Sequence, residues 1–328
     1  MAINWNRFVE VIRGHQRFVL VSHIRPDCDA LGSELGMAAV LRALGKSVRI
    51  VNGHATPPNL TFIDPENQIK VIGQTIQPAD LADTDIVLVL DTSAWAQIGP
   101  VSDFIRGFAG KKIVLDHHAS ADDLGAEEFK DVTSEATGSL VVQAAEALGV
   151  KLTAEMATPL FAAVATDTGW FRFPSATSSC YRTAAKLIDA GAQPAPIYTT
   201  LYEQDTLGRV KLRGLILTRI ESELDGKLAH THVLNEDFAK TNALPSDTED
   251  VINILLGIRG TQFAVIFVEQ KDGGFKISFR SRCQVDCAKL AEKFGGGGHK
   301  AAAGAFVKGP LADVQRTILD VVRSAMSG

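Results

Sequence analysis

The sequence predicts an α/β protein: an N-terminal, doubly wound and mainly parallel sheet domain, with a smaller C-terminal α+β domain across a cleft. Three observations carry this. Residues 18–21, 86–90 and 113–115 are continuous apolar runs, and strands that are apolar on both faces belong to a sheet covered on both sides. Segments with helical spacing separate them, as parallel crossovers require. From about residue 218 the pattern changes to alternating strands and turns.

In order, residues 1–16 carry Trp5, Phe8, Val9 and Ile12 at helical spacing. The strand at 18–21 runs into His23-Ile24-Arg25-Pro26-Asp27-Cys28-Asp29-Ala30-Leu31-Gly32-Ser33. Pro26 keeps helix out of this turn and holds it extended. A helix marked by Leu31, Leu35, Ala38 and Ala39 follows and stops near Gly45. Residues 47–51 read as a strand, Pro57, Pro58 and Pro65 as a loop, and 69–72 as a weak strand. The strand at 85–91 ends on Asp91, and the strand at 111–118 ends on Asp116-His117-His118. Residues 137–149 and 153–166 read as helices. The second runs into Asp167, a polar break expected to be a buried, partnered carboxylate; a helix C-terminal turn capped by Gly169 is the plainer alternative. Another helix covers 181–190, and Gly191-Ala192-Gln193-Pro194-Ala195-Pro196 marks a boundary. The expected bounds are a domain at 1–190, a helical linker at 191–217 carrying Leu207, Val210, Leu215 and Leu217, and a domain at 218–328. Within the last, residues 229–234 and 261–268 are strand-like, and Gly273-Gly274 turns a hairpin before 275–280.

Composition narrows the partners. The net charge is −5, which argues against a non-specific duplex-binding surface. Short anionic substrates remain open, because bound cations invert a local field. No apolar run is long enough for a bilayer, and no early segment reads as a signal peptide. The four cysteines, at 28, 180, 283 and 287, form no zinc pattern. They read as reduced thiols in a cytoplasmic protein, with Cys283 and Cys287 buried.

The chemistry concentrates at strand ends, where open parallel sheets bind ligands. Asp27 and Asp29, beside His23, repel each other unless a cation sits between them. Oxygen ligands with imidazole suit Mn²⁺, Fe²⁺ or Zn²⁺ better than Mg²⁺ alone. Taken alone, the stretch is equally a helix N-cap carboxylate with an incidental neighbour. Four segments, however, place His23, Asp27, Asp29, Asp91, Asp116, His117, His118 and Asp167 at strand ends or helix breaks. Such a set can hold two divalent ions, which clamp the attacking and leaving oxygens of a phosphoryl displacement. Cys28, between two acids, has its thiol pKa raised and is a poor nucleophile. Gly295-Gly296-Gly297-Gly298-His299 can aim backbone N–H groups at an anion. It is not a Walker A loop, and a flexible turn is the alternative; two nearby arginines, Arg280 and Arg282, favour anion binding.

These residues carry a family resemblance. His23-x-x-x-Asp27-x-Asp29, Asp91, Asp116-His117-His118 and Asp167 resemble the four motifs of the DHH phosphoesterase superfamily. The glycine run with His299 and Ala302-Ala303-Gly304 resembles the signature of the DHH-associated C-terminal domain. The two-domain length is most similar to the nano-RNase/pAp phosphatase branch. The resemblance implies a Mn²⁺-dependent phosphoesterase acting on short oligonucleotides and on 3′-phosphoadenosine 5′-phosphate, with hydroxide held between two ions as nucleophile. It implies His23, Asp27 and Asp91 on one ion, and Asp29, Asp91, His117 and Asp167 on the other, Asp91 bridging. It gives His118 a role at the scissile phosphate or leaving oxygen, and Asp116 the task of orienting an imidazole. Arg280, Ser281, Gly296, Gly297, Gly298 and His299 would grip the rest of the substrate. A homodimer also fits the resemblance, although no sequence feature marks it. Position 28 departs from the motif, being Cys where Gly is usual, and sensitivity to oxidation is one consequence.

Alternatives within the fold are a RecJ-like single-strand exonuclease and a cyclic or linear dinucleotide phosphodiesterase. A manganese pyrophosphatase would lack the glycine-histidine loop. A non-catalytic nucleotide-binding regulator should have lost a ligand, and none is lost.

Overall fold

A computed structural model of the chain describes residues 3–119, 122–271 and 273–327. The chain divides into two compact units after Glu203.

Strand periodicity builds the first unit. Its strands are β1 (Arg17–Val21), β2 (Ser47–Asn52), β3 (Ile69–Val71), β4 (Ile86–Leu90), β5 (Lys111–Asp116) and β6 (Glu127–Lys130). They form one parallel sheet in the order β3-β2-β1-β4-β5-β6. Successive side chains point to opposite faces. Thus Phe18, Leu20, Ile86, Leu88 and Leu115 enter one core, while Val19, Val21, Val87, Val89 and Val114 enter another. Each fully buried side chain contributes roughly 1.5–3 kcal/mol, which is why these runs are apolar throughout. The strand β6, with sequence Glu-Glu-Phe-Lys, carries one apolar residue and no alternation long enough to announce it; sequence reading misses it.

The first core is covered by α1 (Trp5–Gly14), α2 (Cys28–Ala43), α5 (Thr137–Leu148), α6 (Ala154–Asp167), α7 (Ser178–Asp189) and α8 (Pro194–Tyr202), and the second by the short α3 (Trp95–Ile98) and α4 (Ser102–Gly107). Residues 28–41 of α2 are all buried, as expected for a helix without a polar face. Gly32 permits this, since a Cβ there would overlap the carbonyl oxygen of Pro159 in α6.

The chain leaves β1 for β2 and β3, then returns to place β4 on the other side of β1. That reversal opens a crevice at the carboxyl ends of β1 and β4. The turn after β1 differs from expectation in one respect. Residues before proline favour extended backbone, yet Arg25 is left-handed, with φ 53°.

The second unit comprises α9 (Leu207–Thr218), β7 (Glu221–Glu223), β8 (Leu228–Val233), α10 (Asn235–Thr241), α11 (Val251–Leu256), β9 (Phe263–Glu269), β10 (Phe275–Ser281), α12 (Cys287–Glu292), β11 (Gly297–His299), β12 (Ala302–Val307) and α13 (Leu311–Ser327). Its sheet has the order β11-β12-β10-β9-β8-β7 and is mixed: β8 and β9 are parallel, the other pairs antiparallel. Helices pack on both faces. Two expectations need correcting. In α9 the inward residues are Leu212 and Ile216, whereas Leu207, Val210 and Leu217 are exposed; the helical period was right and its phase was not. Cys283 is half-buried, while Cys287 is buried. Among the described residues no helix is long and apolar enough to cross a membrane.

Candidate metal centre

The crevice gathers His23, Asp27, Asp29, Asp91, His117 and Asp167. Two residues past β1, His23 has its Nδ1 3.0 Å from the carbonyl oxygen of Ile24. Its Nε2 then faces Asp91 Oδ2 at 3.4 Å and Asp27 Oδ1 at 3.8 Å. One residue past β5, His117 has its Nδ1 3.2 Å from Ser134 O. Its Nε2 faces Asp91 Oδ1 and Asp167 Oδ2 at 3.6 Å each, and Asp29 Oδ2 at 3.8 Å. Both imidazoles therefore engage a carbonyl with one nitrogen and aim the other at carboxylates. Most of these separations exceed a good hydrogen bond. Donors ~2.0–2.2 Å from a shared ion stand roughly 3–3.5 Å apart; the His23–Asp91 pair falls in that range and the others lie 0.1–0.3 Å beyond it. Three donor triads emerge among the described residues: His23 with Asp27 and Asp91, His117 with Asp29 and Asp167, and Asp91 with His117 and His118.

Helix ends hold the acids. Asp27 is the N-cap of α2, its Oδ1 accepting the amides of Asp29 and Ala30 at 3.0 and 3.1 Å. The cap and the cluster, alternatives in the sequence, are one residue in the fold. Asp29, 2% exposed, meets the N-terminus of α5. There the amides of Thr137 and Gly138 donate to its two oxygens at 2.8 Å each, and Ser33 Oγ lies 3.2 Å from Oδ1. Glycine is needed at 138, where a Cβ would come 2.7 Å from that of Ala163. Asp91 follows β4 in the left-handed region, φ 60°, a conformation Asp tolerates better than most residues. Its Oδ1 accepts from the Thr137 hydroxyl at 2.9 Å. Asp167 is the last residue of α6 and is about one-third exposed, not buried as the sequence led one to expect.

Asp116 stands apart from the cluster. Fully buried, it accepts from Ser93 Oγ at 2.7 Å, from the His118 amide at 3.0 Å and from His118 Nδ1 at 2.9 Å. Lys130 Nζ lies 3.2 Å away. His118 is thereby held through Nδ1, and it is half exposed. Burial opposes charge on Asp116, but His118, Ser93 and Lys130 prevail and hold its carboxyl at about 2. The same hydrogen bond raises the His118 imidazole against its desolvation.

Asp29 and Asp167 lack sufficient counter-charge. Burial raises the Asp29 carboxyl well above its ordinary value, and Asp91 and Asp167 add to this. Burial also pushes Asp167 up to about 6 against the opposing effect of His117, with Asp91 and Asp27 adding to the rise. Burial disfavours charge on His23, yet its pairing with Asp27 and Asp91 pushes it up to about 11. Each shift draws positive charge into the crevice, as a proton or as a cation. A cavity of about 250 Å³ opens on this cluster, with Thr92, Ser93, Ala94 and Gln97 completing its wall. The sequence did not single these out, nor Thr137, Ser33 and Lys130, because none carries a motif.

In the second unit, cross-strand partners share a face. Arg280 of β10, Ala302 of β12 and His299 of β11 thus form one row. Ser281 bonds through its hydroxyl to the amide and carbonyl of Cys283. The glycine run is not an open nest. Gly296 donates its amide to Ala291 O, and residues 297–299 pair as the edge strand β11. Close packing on β12 explains two glycines: a Cβ on Gly296 would overlap Gly304 O, and one on Gly298 would stand 2.6 Å from Ala302 O.

A parallel α/β unit with an Asp/His cluster at its strand ends, followed by a mixed-sheet unit, defines a class of hydrolase architecture. The model of the DHH family N-terminal domain matches residues 17–164, and that of the DHHA1 domain matches residues 226–328. The bifunctional oligoribonuclease and PAP phosphatase NrnA of Thermus thermophilus is 31% identical over 310 residues, 94% of this chain and 90% of that protein. The Bacillus subtilis protein of the same name is 28% identical over 91% of this chain and 92% of its own. The crystal structure of an exopolyphosphatase-related protein from Bacteroides fragilis superposes with a TM-score of 0.82 at 26% identity, covering 98% of this chain and 95% of that one. This chain belongs to the DHH/DHHA1 family of phosphoesterases. Its His/Asp clusters suit divalent metal ions, as in that family.

Proposed function

We propose that the protein is a divalent-cation-dependent hydrolase of short oligonucleotides and of 3′-phosphoadenosine 5′-phosphate. The observation that carries this is the place of Asp91 between two imidazoles, grouped with His23 and Asp27 on one side and with His117 and His118 on the other. Similarity to two NrnA proteins over nine-tenths of each chain supports the substrate class. His23, Asp27 and Asp91 hold one cation; Asp29, Asp91, His117 and Asp167 hold the other. Mn²⁺ suits this mixture of carboxylate and imidazole. Bound there, such ions supply Lewis acidity and lower the pKa of water toward neutrality. His118, kept in one orientation by Asp116, donates toward the scissile phosphate or the leaving oxygen. Arg280 and His299 take a second phosphate of the substrate. Gly296, Gly297 and Gly298 contribute a surface without side chains that a nucleotide can approach closely. Ser281, engaged with Cys283, supports this strand end.

The test is turnover with Mn²⁺ on pAp, on di- to pentanucleotides, on long single strands and on pyrophosphate. Turnover of pAp and the short oligonucleotides is expected to dominate. Preference for long strands would assign the protein to exonuclease chemistry instead. Asp91→Ala, which removes a ligand from both ions, is expected to abolish every activity; retained turnover would sink the dinuclear assignment.

A further inference from the structure

We propose that Thr137 is a positioning residue: its hydroxyl sets Asp91 so that the two carboxylate oxygens serve different ions, and the His117 side of the site depends on it. This rests on the dinuclear assignment above.

Asp91 divides its oxygens. Oδ2 lies 3.4 Å from His23 Nε2, and Oδ1 lies 3.6 Å from His117 Nε2. The terminal torsion of an aspartate is broad, so this division needs an anchor. Thr137 Oγ1 supplies one, donating to Oδ1 at 2.9 Å from a fully buried position. The donor uses one lone pair of Oδ1 and leaves the other for the His117 side. The donor is itself well placed. Thr137 is the first residue of α5, and its amide is bound to Asp29 Oδ2 at 2.8 Å. Thr137 therefore touches both buried carboxylates that flank His117, Asp91 through its side chain and Asp29 through its backbone. Chemistry can separate these contacts. Thr137→Val deletes the hydroxyl, keeps the β-branched shape and leaves the amide on Asp29.

The experiment is calorimetric titration of the metal-free full chain with Mn²⁺ alone, for the parent and for Thr137→Val, Thr137→Ala and Thr137→Ser. The parent is expected to bind two ions. Thr137→Val and Thr137→Ala are expected to weaken one of the two steps by about tenfold to a hundredfold and leave the other unchanged. Thr137→Ser, which restores a hydroxyl, is expected to recover the lost step. In a His23→Gln background, where the His117-side ion remains, Thr137→Val is expected to weaken that remaining ion. Should Thr137→Val not fold, Thr137→Ala against Thr137→Ser makes the same comparison with less bulk. Unchanged affinities in the variants lacking the hydroxyl overturn the proposal. So does equal weakening in Thr137→Ser, since a hydroxyl is then not the cause. A parent that binds fewer than two ions overturns the dinuclear assignment itself, a result read from the parent and not from any variant.

Discussion

Cys28 occupies the most unusual position in the cluster, between Asp27 and Asp29 at the start of α2. Its side chain is buried, and burial, then Asp27 and Asp29, push the thiol up to about 12. A thiol that keeps its proton is a poor nucleophile and a poor target for peroxide. Burial and the raised thiol both weigh against the sensitivity to oxidation expected from sequence. Iodoacetamide at pH 7 is expected to modify half-buried Cys283 in the native protein and to spare Cys28, Cys180 and Cys287; denaturant should make all four reactive. Mass spectrometry that finds Cys28 labelled as fast as Cys283 in the folded state would contradict this. The charge argument was legible in the sequence, because the two acids are adjacent neighbours. The burial was not, because it comes from α2 packing on α6 with Gly32 against Pro159.

Pairs of elements show the same division. Glu223 on β7 joins α13 through Arg323, at 2.6 and 2.8 Å, and accepts from His230 at 3.0 Å. Chiefly through Arg323, against its desolvation, its carboxyl falls from 4.5 to about 2. A carboxyl depressed by folding stabilises the folded state fully above its unfolded pKa and loses that stabilisation as pH falls through its folded one. The contribution is on the order of 1–3 kcal/mol, discounted for partial exposure. Glu223→Gln is expected to destabilise the protein at pH 7, and the gap to the parent should close between pH 4.5 and 2. Denaturant midpoints measured across that range check it, and a gap independent of pH would be inconsistent with the ion pair. Pairing of this kind was invisible in sequence, since 100 residues separate Glu223 from Arg323. The strands were visible, since Phe18-Val19-Leu20-Val21 satisfies two cores at once. The phase of α9 was not, because Leu207, Val210 and Leu217 are as apolar as Leu212 and Ile216.

The two units have separate cores, and all the proposed cation ligands, from His23 to Asp167, lie in the first. A ligand that binds the folded state alone raises its stability by mass action. Saturating Mn²⁺ is thus expected to raise the melting transition of the first unit and leave that of the second unmoved. Scanning calorimetry with and without the ion tests this, with Glu223→Gln marking the second transition. Equal displacement of both by Mn²⁺ would show that the units unfold as one. The strand-end acids and imidazoles could be read directly from the chain, because a strand apolar throughout ends where its first polar residues begin, and that end faces the crevice of a parallel sheet. What tertiary structure alone decided is how those residues are held. Asp29 receives Thr137 and Gly138 across 108 and 109 positions, and Asp91 receives the Thr137 hydroxyl across 46. The glycine run likewise became a paired edge strand through contacts with β12. Local sequence dictates where a side chain emerges; only packing between distant segments dictates which hydrogen bonds remain for it to make.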